Sequence, residues 1–183
     1  MAIIHRANIS PTKQELATAW LDRQSLGGSG DVEMLGSYRF DDPEGEVGIE
    51  ALLVRRAGEV FHLPFTYRGA PLDGAEANLI TTMEHLVLGR RWVYEAAGDP
   101  VALACYDAAL AGRQEQSSFE IWDGGVIVGQ RPHTVMLTVE GDGPAGGEVR
   151  LYRVPGDSAG RPAAGRCLVA TWAAGSGIVA VSA

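Results

Sequence analysis

Lysine is almost missing from this chain. Of its 15 basic residues only Lys13 is a lysine, and the rest are arginines. That scarcity removes a Schiff-base amine, a strand lysine for a phosphate clamp and a catalytic ammonium everywhere except near the N-terminus. Codon bias in a GC-rich genome accounts for the arginine excess, and for the 24 glycines, without any functional cause. Cysteine is scarce too. Cys105 and Cys167 are too few for a disulfide scaffold, form no C-x-x-C, and suit a reducing cytoplasm, the expected location. No apolar run approaches the ~20 residues that span a bilayer. The opening Met-Ala-Ile-Ile-His-Arg lacks the roughly 7–15-residue apolar stretch of a signal peptide, so neither a membrane nor export is expected. Positive charge is also in deficit, 15 basic against 23 acidic residues. The resulting net charge of -8 repels phosphate backbones and argues against a nucleic-acid partner.

What remains is the composition of an ordinary globular domain: 183 residues, 46% hydrophobic and 21% charged. Folding at this size buries roughly 70% of the unfolded chain's surface, enough for a core without staples. Ser10-Pro11-Thr12-Lys13-Gln14-Glu15 reads as a helix start, with Thr12 and Glu15 at capping-box spacing. Leu16, Ala17, Trp20 and Leu21 then recur on one helical face. Strands are expected at 31–40, 46–56 and 59–67, the last two joined only by Ala57-Gly58, which makes an antiparallel meander. Residues 79–96 read as extended chain interrupted at Gly89. Asp99-Pro100 starts a second helix, with Val101, Ala104, Cys105 and Ala108 as its packing stripe and Gly112 at its end. Short strands follow near 118–122, 125–129, 134–140, 148–154, 167–173 and 177–182. The expected fold class is α+β: a curved antiparallel sheet packed on helices near 11–23 and 99–112, with a β-rich C-terminal part. The division falls at 1–117 and 118–183.

Few motifs carry chemistry. Gly156-Asp157-Ser158-Ala159-Gly160 matches G-x-S-x-G, but a nucleophile elbow needs a helix directly after the serine, and Arg161-Pro162-Ala163-Ala164-Gly165 argues against one. There is no G-x-x-x-x-G-K-[ST], so kinase activity is not expected of this chain alone. His5, His62, His85 and His133 are scattered, and Glu84 and His85 would face opposite sides of a strand. No metal and no cofactor are expected. Asp41, Asp42, Glu44 and Glu46 read as a solvated turn. Arg90-Arg91-Trp92-Val93-Tyr94 is the segment with most promise. In a strand Arg90, Trp92 and Tyr94 share one face and Arg91 and Val93 the other, and an arginine beside aromatics grips sugars, anions or protein surfaces. The competing reading has Trp92 and Tyr94 in the core and Arg90 paired with a carboxylate.

The stretch Thr82-Met83-Glu84-His85-Leu86-Val87-Leu88-Gly89-Arg90-Arg91-Trp92-Val93-Tyr94-Glu95, followed by Gly98-Asp99-Pro100-Val101, resembles the maltokinase N-terminal cap-like proteins, found mainly in actinobacteria. His62-Leu63-Pro64-Phe65-Thr66-Tyr67-Arg68-Gly69-Ala70-Pro71-Leu72 and Trp20-Leu21-Asp22-Arg23-Gln24 support it, and together these cover roughly residues 12–112. The resemblance implies a cystatin-like cap, a curved antiparallel sheet with a packed helix. In maltokinases the ATP and maltose sites lie in later lobes. This chain ends at Ala183, so no catalytic residue carries over. What the resemblance implies is a non-catalytic stand-alone protein linked to trehalose, maltose or glycogen metabolism. Its partner would be an enzyme of α-glucan or trehalose metabolism or a separate kinase lobe; a homo-oligomer is equally compatible. With Glu84, His85 and Asp99 from the stretches that carry the resemblance, the candidate binding residues are Glu84, His85, Arg90, Arg91, Trp92, Tyr94 and Asp99. Two alternatives stay open: a binder of a sugar or sugar phosphate at the Arg90–Tyr94 face, and an unrecognised hydrolase using Ser158 or a carboxylate pair.

Overall fold

The computed structural model describes residues 2–4, 9–85, 88–123, 126–143, 146–156 and 165–182. Its first helix, α1, runs Lys13–Gln24. Thr12 caps it: the Glu15 N–H donates to Thr12 Oγ1 at 3.3 Å and the Thr12 N–H to Glu15 Oε2 at 2.8 Å, which closes the expected capping box. Leu16, Ala17, Trp20 and Leu21 are buried, the face that the spacing foretold.

Three strands follow as a meander, β3 (Glu33–Asp41), β4 (Gly48–Arg56) and β5 (Glu59–Arg68). Ala2–Ile4 and Ile9–Ser10 precede α1 as the short strands β1 and β2. Ala57 and Gly58 both have positive φ, 48° and 85°, so the β4–β5 loop twists with its strands as two-residue hairpins must. The extended segment after residue 78 is a hairpin of β6 (Leu79–His85) and β7 (Gly89–Glu95), turning at Gly89. All six pair antiparallel in the order β2-β6-β7-β5-β4-β3.

Both faces of this sheet are covered. Leu52 and Val54 join Phe61, Leu63, Phe65, Met83 and Val93 under α1. Ile49, Ala51 and Leu53 alternate to the opposite face, where the second helix, α2 (Pro100–Leu110), packs. That is why β4 is a nearly continuous apolar run: a strand buried on both faces has no polar alternation. The buried face of α2 is Ala102, Cys105, Tyr106, Ala109 and Leu110; of the expected stripe, Cys105 is buried and Val101 packs half-buried against the same core, whereas Ala104 is exposed, which corrects that position. An alanine-rich helix offers little apolar contrast around its circumference, and its rotation is set by Tyr106, which lies 5.1 Å edge-to-face from Phe40.

Beyond α2 the chain forms β8 (Phe119–Asp123), β9 (Val126–Arg131), β10 (Val135–Glu140), β11 (Val149–Gly156), β12 (Arg166–Trp172) and β13 (Gly175–Ser182). Strands β10-β12-β13-β11 make a second antiparallel sheet, and β1 pairs parallel with β8 in a third, β1-β8-β9. The second sheet lies on the α2 side of the first. Val135, Leu168, Ala170, Val179 and Ala180 share one core with Tyr38, Phe40 and α2, and β11 runs against β5. Cys105 and Cys167 are buried free thiols. Among the described residues no helix is long and apolar enough to cross a membrane.

Candidate functional site

Cross-strand register decides which hairpin side chains meet. Thr82 pairs with Trp92, Met83 with Arg91, Glu84 with Arg90, and His85 with Gly89. Met83 and Val93 belong to the core beneath α1, so Arg91 projects to that side. There its guanidinium lies over Gly69, where a Cβ would stand 2.8 Å from Arg91 Nη1. Arg90, Trp92 and Tyr94 point to the α2 side together with Thr82 and Glu84.

Arg90 Nε donates to Glu84 Oε1 at 3.0 Å, and both side chains are more than 60% exposed, 62% and 65%. Trp92 is half-buried. Across β7, Arg68 pairs with Trp92 in register. Arg68 donates twice to Asp99, Nε to Oδ2 and Nη2 to Oδ1, each at 2.7 Å. Asp99 is fully buried and caps α2, accepting the Val101 N–H at 3.0 Å. Burial pulls its pKa upward, but the Arg68 and Val101 hydrogen bonds outweigh that and hold the carboxyl below its ordinary value. Tyr94 is buried, and its hydroxyl accepts the Leu72 N–H at 2.9 Å, anchoring the 69–78 loop. His85 Nδ1 accepts the Leu88 N–H at 3.1 Å at the hairpin tip.

Of the seven residues singled out from the sequence, the structure therefore brings Glu84, Arg90 and Trp92 together on one surface. Arg91 lies on the opposite face, His85 sits at the turn, and Tyr94 and Asp99 are built into the core beneath. Thr82 and Arg68 complete the surface. Only register reveals them, because no local pattern marks either one.

Two buried polar networks also escaped the sequence reading. Lys13 Nζ donates to Glu50 Oε1 at 2.6 Å, and Glu50, on β4, is 1% exposed. Burial raises the Glu50 pKa; Lys13, Arg39 and Ser37 reverse that and leave it below the ordinary value. In the other network His62, buried in β5, bridges four elements. Its Nδ1 donates to the Tyr152 carbonyl of β11 at 2.8 Å, so Nε2 carries the lone pair that accepts the Tyr38 hydroxyl at 2.7 Å. Tyr106 of α2 then donates to Tyr38 at 2.9 Å. Burial depresses the His62 pKa to about 4. The signal for both was present, a lone carboxylate in Gly48–Val54 and a lone imidazole in Val60–Phe65, each inside an apolar strand.

Among the described residues no group of three or more His, Cys, Asp or Glu side chains could hold a metal ion. Ser158 and most of its G-x-S-x-G motif lie outside the described residues, as does His5.

Neither the curated proteins nor the solved structures contain a match to this chain. Residues 18–99 do match a family model, and that segment runs from within α1 through the whole meander and the β6–β7 hairpin to the α2 cap. That model describes the maltokinase N-terminal cap domain, to which the chain is similar over those residues.

Proposed function

We propose that this chain is a non-catalytic accessory module that docks on an enzyme of α-glucan or trehalose metabolism, or on a kinase lobe carried by another polypeptide. The observation that carries this reading is the fate of Lys13. The chain's only lysine is held 2.6 Å from buried Glu50, away from any phosphate it could clamp. Six arginines are likewise matched to carboxylates: Arg55, Arg56, Arg68, Arg90, Arg113 and Arg153. Phosphoryl transfer depends on uncompensated cations around the moving group, and these are compensated. The 100–182 region supports the same reading, since α2 and the second sheet complete the cap's core.

The sheet edges suggest where docking occurs. On β3 the Ser37 N–H donates to Thr134 Oγ1 at 3.1 Å, and the Arg39 carbonyl accepts the Ser117 N–H at 2.8 Å. On β10 the Gln116 side chain takes the Leu137 N–H and the Val135 carbonyl. Among the described residues β6 meets β2 only at Glu84 and His85, so residues 79–83 have a strand, β7, on one side alone, and on them the Ile80 carbonyl accepts from Arg23 at 2.9 Å. Strand addition uses such an edge. The test is a titration of purified trehalose synthase, and separately of a maltokinase lacking its cap, with this chain. A stoichiometric complex is expected, with no ATP turnover by the chain alone on maltose. Turnover by the isolated chain would sink the proposal, as would failure to bind either enzyme.

A second reading, a sugar or sugar phosphate held on the Arg90–Trp92 surface, is favoured by one observation: Trp92 is only half-buried and lies beside an exposed ion pair.

A further inference from the structure

The surface that carries Trp92 is an ordered array. Thr82, Trp92 and Arg68 form one row across β6, β7 and β5, and Glu84 with Arg90 forms the next. Strands stand about 4.8 Å apart and same-face residues along a strand about 7 Å, so all four polar residues flank the indole position. Each guanidinium there already holds a carboxylate: Arg90 holds Glu84 at 3.0 Å and Arg68 holds Asp99 at 2.7 Å. Asp99 is fully buried, so an incoming anion has no way to displace it. The chain's net charge of -8 adds repulsion. A phosphate placed on this face would therefore lie close to two carboxylates with no cation left to compensate it.

An uncharged polyol meets no such penalty. Sugar hydroxyls donate and accept at once, and the exposed pair offers both roles, through the Arg90 Nη atoms and through Glu84 Oε2. The flat indole supplies the apolar platform on which the C–H face of a pyranose rests. We infer that the Trp92 face of the β6–β7 hairpin binds an uncharged saccharide chain rather than a sugar phosphate, with Trp92 as platform and Glu84, Arg90 and Thr82 as hydroxyl contacts. The inference rests on the reading that this protein works by binding, and it occupies a different surface from the β6 edge. The module would then hold its partner enzyme next to a polymeric substrate.

Calorimetric titration of the full chain with maltoheptaose and with glucose 6-phosphate, at low and high salt, tests this. Saturable, salt-insensitive binding of maltoheptaose with Kd of order 1 mM is expected, with glucose 6-phosphate weaker. Trp92→Ala should weaken maltoheptaose at least tenfold, about 1.4 kcal/mol, and Trp92→Phe should keep most of the affinity. Because Trp92 is half-buried, Thr82→Arg provides a second probe: it places a long cation beside the indole from an exposed position, and should block binding in a folded protein. Absent binding, tighter and salt-dependent binding of glucose 6-phosphate, or unchanged affinity in folded Thr82→Arg would each overturn the inference. If saccharide binding fails while the chain still docks on its partner enzyme, the accessory role stands and only this inference falls.

Discussion

Lys13 Nζ lies 2.6 Å from Glu50 Oε1, tying the first turn of α1 to the start of β4, a strand that is buried on both faces. The pair is asymmetric. Glu50 is 1% exposed, whereas the Lys13 side chain reaches water at 41%. Removing the lysine leaves a buried carboxylate without its direct ion pair, with only the Arg39 charge and Ser37 to offset its burial.

Lys13→Met should therefore destabilise the fold by roughly 3 kcal/mol, the low end for breaking a buried pair because Lys13 is partly solvated. The double variant Lys13→Met/Glu50→Leu should recover most of that loss. Urea melts of the three proteins check this, and a double variant as weak as the single would contradict it.

His62 makes stability pH-dependent. Its folded pKa of about 4 lies below the ordinary value of 6.5. Between those values the unfolded chain binds more protons, so stability rises with pH through that window and is lost as pH falls from 6.5 toward 4. The total is on the order of 3 kcal/mol for this fully buried imidazole. Glu50 and Asp99, both with lowered pKa values, add further loss as pH drops below the ordinary carboxylate range. Urea midpoints measured at pH 7, 5.5 and 4 should fall steadily, and His62→Phe should flatten the decline above pH 4.

Tyr38→Phe removes the hydroxyl that links His62 Nε2 to Tyr106 and leaves both partners buried without it. A loss of about 1–3 kcal/mol is expected, with little change in secondary structure. Circular dichroism together with a thermal melt reports both quantities.

Asp99→Ala deletes the α2 cap and orphans Arg68, which should together destabilise by about 2–4 kcal/mol. Asp99→Asn keeps the cap acceptor and should do less harm. Arg90→Ala breaks only an exposed pair and should shift the melting midpoint by less than 1 kcal/mol equivalent. Equal damage from Asp99→Ala and Arg90→Ala would contradict the division into buried and surface pairs.

Much of the fold was legible because its signals are local. A capping box, a two-residue hairpin loop and the Asp99-Pro100 start are chemical necessities of a few consecutive residues. Helical spacing likewise named all four buried residues of α1, since Trp20 and its neighbours stand out against polar positions. The same spacing found only part of the packed face of α2, Val101 and Cys105, because alanines on every side left rotation to be chosen by the contact of Tyr106 with Phe40 and Tyr38.

The candidate surface divides in the same way. Strand alternation alone separates Arg90 and Trp92 from Arg91, because successive side chains must point oppositely. It says nothing about what lies across the ladder. That Glu84 and Thr82 flank Trp92 depends on the register of the β6–β7 hairpin, and that Asp99 disappears beneath Arg68 depends on β5 lying beside β7, a strand more distant in the chain. Local backbone preference is encoded within a few residues and can be read from them. Register, burial and the charge partner of each arginine are settled only when distant segments compete for the same space.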